Sequence, residues 1–237
     1  MGMRLTLATL YVTALAHNCP LLETVRGTDN PFYDQWHIGV DTWERFCASY
    51  TQLVAFDWRV VPFATAFFEV FGRYPKPKLQ SLTLWSLLSW DWDFYHRRQP
   101  KLTGGYGLAA QNLQAVLRAC PALHALRIKF PSIYVTQPQV NVVENLFGDA
   151  FCEMLATHCR QLERFKVTIN RKSAPNESFT DRAMVALATL PMLTHVDLKA
   201  VNITGDALFA LVVESVHSDW KHNESIALLS VAATGQP

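Results

Sequence analysis

One phrase recurs along this chain and limits what it can fold into: a leucine, two residues, an apolar residue, one residue, and a further position that is usually apolar. It reads Leu22/Val25/Gly27, Leu53/Phe56/Trp58, Leu79/Leu82/Leu84, Leu123/Leu126/Ile128, Leu162/Phe165/Val167, Leu193/Val196/Leu198 and, in degenerate form, Ile226/Leu229/Val231. An apolar pair spaced two residues apart marks a short strand that buries one face. The stretch before each phrase has the composition of a helix that closes the other side of the unit. No such unit buries its own apolar face, so the units must stack into a solenoid. Function is then expected on the extended surface that the stack creates.

Successive phrases start 31, 26, 44, 39, 31 and 33 residues apart. A mean of about 34 would also suit an array of helix pairs. Leu79-Gln-Ser-Leu-Thr-Leu-Trp85 and Leu162-Glu-Arg-Phe-Lys-Val-Thr-Ile169 instead alternate with period two, so each unit is strand plus helix. Pro20, Pro77, Pro121 and Pro191 each stand two residues before the phrase leucine, where a helix has to stop before a strand can begin. Seven helices are expected, over residues 4–18, 40–50, 62–73, 107–119, 147–159, 180–190 and 204–217, with Pro62 in the first turn of the third. Thr180 and Thr204 read as N-caps. Asp149, Asp181 and Asp206 fall in first turns, where a carboxylate complements the helix N-terminus; capping is a better account of them than catalysis.

With 237 residues, half of them hydrophobic, the chain has ample material for a core, and one elongated domain spanning 1–237 is expected. A net charge of +1 gives no global attraction to nucleic acid or membrane, so any electrostatic preference must be local. Cys19, Cys47, Cys120, Cys152 and Cys159 are odd in number and form no Cys-x-x-Cys pair. Cys19, Cys120 and Cys159 share a phase, three residues before the phrase leucine, and are expected to be buried thiols acting as small hydrophobes. A reducing compartment follows, cytoplasmic or nuclear.

The competing reading of the N-terminus is a secretory signal peptide, from Arg4 through Leu5–Leu15 to Ala14-x-Ala16. Asn176, Asn202 and Asn223 would then be glycosylation acceptors. The same segment already serves as a repeat helix: Leu10–Leu22 aligns with Leu113–Leu123 through the shared Cys-Pro step. Met1-Gly2 with Thr6 fits a loose myristoylation pattern. No stretch is long and apolar enough to span a bilayer.

The phrase Cys-Pro-x-Leu-x-x-Leu-x-Ile, followed in later units by Ile203-Thr204 and a leucine, resembles the leucine-rich repeat superfamily. The resemblance is to its ribonuclease-inhibitor-like, cysteine-containing class of repeats, common in the substrate-binding halves of F-box proteins. It implies an α/β horseshoe of about seven repeats, parallel strands on the concave face and helices on the convex face. It also implies a role in protein binding.

Two insertions interrupt the stack, near 85–106 and 131–145. The first interleaves Trp85, Trp90, Trp92, Phe94 and Tyr95 with charged residues. Long insertions in a compact array are where binding concentrates. The residues two, four and six places after each phrase leucine point away from the core. Among them are seven cations, Arg26, Arg59, Arg127, Lys129, Arg164, Lys166 and Lys199, against Asp57 and Asp197. A near-neutral chain thus carries a basic inner face, densest at Arg127, Lys129, Arg164 and Lys166. Such a patch suits a carboxylate-rich or phosphorylated protein.

No phosphate loop, zinc-protease helix or nucleophile turn is present, and the eight histidines are scattered, so no enzyme, cofactor or metal site is expected. The leading reading is a protein-interaction scaffold using Arg26, Arg59, Trp85, Trp90, Trp92, Arg127, Lys129, Arg164, Lys166 and Lys199. One alternative is the substrate-recognition region of an F-box ubiquitin-ligase subunit, joined to its adaptor through an F-box upstream of Met1. RNA-binding and extracellular ligand-binding arrays are the others; the neutral charge argues against nucleic acid.

Overall fold

The computed structural model describes residues 7–25, 38–58, 65–85, 110–130, 147–169, 178–199, 203, 204, 206 and 230–232. The phrases form strands β1 (Thr24–Val25), β2 (Ala55–Trp58), β3 (Ser81–Trp85), β4 (Ala125–Phe130), β5 (Arg164–Ile169), β6 (His195–Lys199) and β7 (Ser230–Ala232). They make one sheet in sequence order, each strand parallel to the next. The described helices are α1 (Leu7–Asn18), α2 (Val40–Ser49), α3 (Thr65–Arg73), α4 (Ala110–Ala119), α5 (Asp149–His158) and α6 (Asp181–Ala188). Each packs on its successor. This is an α/β repeat architecture like that of leucine-rich-repeat proteins. The expected helix over 204–217 lies almost wholly outside the described residues, and residues 86–106 and 131–145 of the insertions lie outside them.

The proline punctuation has a backbone cause. Three residues before the phrase leucine, a carbonyl accepts that leucine's N–H: Cys19 from Leu22 at 3.1 Å, Lys76 from Leu79 at 3.1 Å, Cys120 from Leu123 at 3.3 Å, Cys159 from Leu162 at 3.0 Å and Leu190 from Leu193 at 3.3 Å. In four of these five turns a proline sits second, where its fixed φ is pre-set and no N–H is needed; Arg160 takes that place before Leu162. One residue past the leucine, a single carbonyl then accepts two N–H groups of the following unit. Val54 receives Gln80 and Ser81, Gln80 receives His124 and Ala125, and His124 receives Glu163 and Arg164. Stacking thus satisfies the strand entries, and the register of the sheet follows from it.

Alternation places Leu82, Leu84, Leu126, Ile128, Phe165, Val167, Val196 and Leu198 in a core shared with the helices. Its aromatic end is built on Trp43, whose ring lies 5.3 Å from Phe46, 5.7 Å from Phe56 and 6.0 Å from Phe71, and whose indole N–H donates to the Phe67 carbonyl at 2.8 Å. A fully buried phenylalanine contributes about 1.5–3 kcal/mol through lost water contact, and ring pairs add about 0.5–1.5 kcal/mol.

Two expectations change. Cys120 and Cys159 are buried, but Cys19, in the unit of the edge strand β1, is exposed. The first-turn acids cap across units rather than within their own helices. Asp149, at the start of α5, accepts the N–H and hydroxyl of Thr180 at 2.8 and 2.7 Å and the N–H of Ala183 at 3.2 Å, all at the start of α6. Asp181 repeats the step on Thr204 at 2.8 and 2.7 Å. Thr180 is an N-cap as expected, accepting from the Arg182 N–H at 3.3 Å. Gly148 before Asp149 is required by space: a Cβ there would stand 2.1 Å from the Ser178 carbonyl oxygen.

Candidate binding face

The helices cover one side of the sheet, and the alternate strand residues form the other. In-register pairing orders them into rows that cross the strands. One row runs Asp57, Thr83, Arg127, Lys166, Asp197 and Ser230. The row before it runs Thr24, Ala55, Ser81, Ala125, Arg164 and His195. A third joins Trp85, Lys129 and Thr168. The expected patch is therefore contiguous. Arg127 and Lys166 are direct neighbours across β4 and β5, Lys129 is one step along β4, and Arg164 one step back along β5.

The four cations are not equivalent. Arg127 and Arg164 are exposed, while Lys129 and Lys166 are half-buried. Lys166 is ion-paired with Asp197 of the next strand. The other oxygen of that carboxylate, Oδ1, is buried without a partner among the described residues. Beside them, His195 Nδ1 lies 2.8 Å from Thr194 Oγ1, whose own proton goes to the Glu163 carbonyl at 3.1 Å.

Arg26, Arg59, Trp90 and Trp92 lie outside the described residues. The backbones of Trp85 and Lys199 are placed in β3 and β6, and their side chains lie outside the description.

Sequence reasoning passed over Lys76. It occupies the phase that holds Cys120 and Cys159 in other units, three residues before Leu79, and it is completely buried. Its Nζ donates to the carbonyls of Tyr74 at 2.6 Å and Phe71 at 3.4 Å and lies 4.0 Å from the Phe71 ring centroid. A cation here answers the carbonyl end of α3. Burial pulls its pKa down, with the neighbouring thiols Cys47 and Cys120 opposing. The phase of the repeat was the available signal: a lysine at a core position has to find carbonyls.

Burial pushes the Cys47 and Cys159 thiols up to about 12, and Cys120 and Cys152 also far above their ordinary value. Such thiols are inert. Among the described residues there is no cluster of three metal-ligating side chains and no helix long and apolar enough to cross a membrane.

No protein-family model matches the chain, and no curated protein does. Among solved structures, the tropomodulin C-terminal domain of Caenorhabditis elegans is similar over 76% of this chain and 93% of that one, at 9% identity and a TM-score of 0.44.

Proposed function

We propose that this chain is a non-enzymatic protein-interaction scaffold that receives an anionic protein partner on the open face of its sheet. The observation that carries the reading is the contiguous cluster of Arg127, Lys129, Arg164 and Lys166 on strands whose other face is core. Neighbouring strands are about 4.8 Å apart and packed helices about 8–10 Å. With one described helix before each of β1 to β6, this difference curves the stack with the strands inside, as in a horseshoe, and puts the cluster on the concave surface. Trp90 and Trp92 of the first insertion are the aromatic side chains this reading assigns as anchors for the partner. Five free cysteines favour a reducing compartment for the scaffold.

The test is a capture from source lysate with wild type, Arg127→Glu/Arg164→Glu and Trp90→Ala/Trp92→Ala. The charge reversal should abolish capture at low salt and slow association. The tryptophan variant should speed dissociation. Wild-type yield from both variants would refute the proposed face, and capture that disappears on nuclease treatment would make the partner nucleic acid. The F-box reading is a special case of this scaffold; it requires that the captured set include a ubiquitin-ligase adaptor when the natural chain is used.

A further inference from the structure

Two of the four clustered cations are free to meet a ligand. Arg127 and Arg164 are exposed, and among the described residues neither has a carboxylate partner. They are diagonal neighbours: Arg127 faces Lys166 in register, and Arg164 faces Ala125. One strand spacing of about 4.8 Å and two residues at about 3.3 Å put their Cα atoms about 8 Å apart, so both guanidinium groups can reach one anion between them. Ala125 opposite Arg164 carries only a methyl group, which leaves that anion room.

Lys166 is different. The Asp197 carboxylate already holds it, in the position that a ligand anion would take.

We propose that Arg127 and Arg164 form a site for a phosphate monoester on the partner protein, and that Asp197 keeps Lys166 in reserve as an internal competitor for that anion. The proposal rests on the binding face argued above and names its ligand. A carboxylate is satisfied by one bidentate guanidinium, whereas a phosphate monoester carries close to two charges on three oxygens and engages two guanidinium groups at once. Asp197 sharpens the choice, since a single carboxylate from a ligand gains little at a lysine that already has one. A doubly charged group beside Arg127 competes for the same ammonium.

The probe is a fluorescein-labelled glycine-serine peptide with two phosphoserines, compared by anisotropy with its glutamate and unmodified serine counterparts. The phosphopeptide should bind about ten-fold or more tighter than the glutamate peptide, with inorganic phosphate competing. Arg127→Ala and Arg164→Ala should each weaken it about ten-fold. Asp197→Asn should tighten it about three- to ten-fold by freeing Lys166 next to Arg127, an effect that added salt removes. All three substitutions are at exposed or half-buried positions, and a thermal melt of each variant checks that the fold is retained. Equal affinity for phosphoserine and glutamate peptides, or arginine variants that bind like wild type, would overturn the phosphate site. An unchanged or weaker affinity in Asp197→Asn would overturn the reserve role of Lys166. If the charge-reversal variant still loses its protein partner while these peptide results fail, the scaffold reading stands and only this inference falls.

Discussion

Raising the pH from 8 to 10 should destabilise this protein through four thiols buried in its core. Cys47, Cys120, Cys152 and Cys159 are buried, and each thiol is held neutral well past its ordinary value of 9.0. Below pH 9 the thiols are neutral folded or unfolded, so they impose no penalty. Above pH 9 the unfolded chain ionises and the folded one does not, so the unfolded state binds fewer protons and stability falls as pH rises. At pH 10 the cost is about 1.4 kcal/mol per thiol, about 5–6 kcal/mol for four, against a typical total of about 5–15 kcal/mol. Lys76 works in the opposite sense. Its folded pKa is lowered, so stability rises with pH from that value up to the unfolded one, but a single group returns at most about 1.4 kcal/mol per pH unit. The net loss between pH 8 and 10 is therefore about 3 kcal/mol or more. Urea unfolding at several pH values measures it, with Cys152→Ala removing about 1.4 kcal/mol of the alkaline loss at pH 10. Native thiol labelling at pH 8 should show one fast cysteine, Cys19, and four slow ones. A urea midpoint that is flat from pH 8 to 10, or five equally fast thiols, would refute the reasoning.

Asp149→Ala strips three hydrogen bonds from the start of α6 and should cost about 2–4 kcal/mol, whereas Asp149→Asn, which keeps an acceptor, should recover part of it; chemical denaturation separates the two. Gly148→Ala should be among the most damaging small substitutions, because its new carbon meets a backbone carbonyl that cannot step aside, and hydrogen exchange should show α5 and α6 loosening together. Lys76→Met should stay within about 1.5 kcal/mol of wild type, since it removes a buried charge along with its carbonyl bonds, while Lys76→Ala should lose about 3 kcal/mol by leaving a cavity as well; thermal melts at pH 7 rank the two. Equal melting temperatures for the two would show that the aliphatic stem of Lys76 contributes nothing to packing at the end of α3.

Local pattern was enough for the strands, for most helix positions and for which strand residues turn away from the core. Leu126 and Ile128 had to point one way and Arg127 the other, because side chains on a strand alternate and the described helices pack on one side of the sheet. Pro20, Pro77, Pro121 and Pro191, two residues before four of the phrase leucines, likewise announced a turn that the backbone makes. Tertiary structure decided whatever depends on a neighbouring unit. Asp149 looks like a cap for its own helix in the sequence, and caps the next one because stacking brings Thr180 to its carboxylate. Cys19 shares its phase with two buried thiols and is exposed, so the repeat phase alone does not fix burial; packing around the individual unit does. The basic patch was legible as a count of cations; that Lys166 is taken by Asp197 while Arg127 and Arg164 stand open was not. Residues 31 positions apart become neighbours only through the register of β5 and β6, and charge pairing follows distance in space rather than distance along the chain.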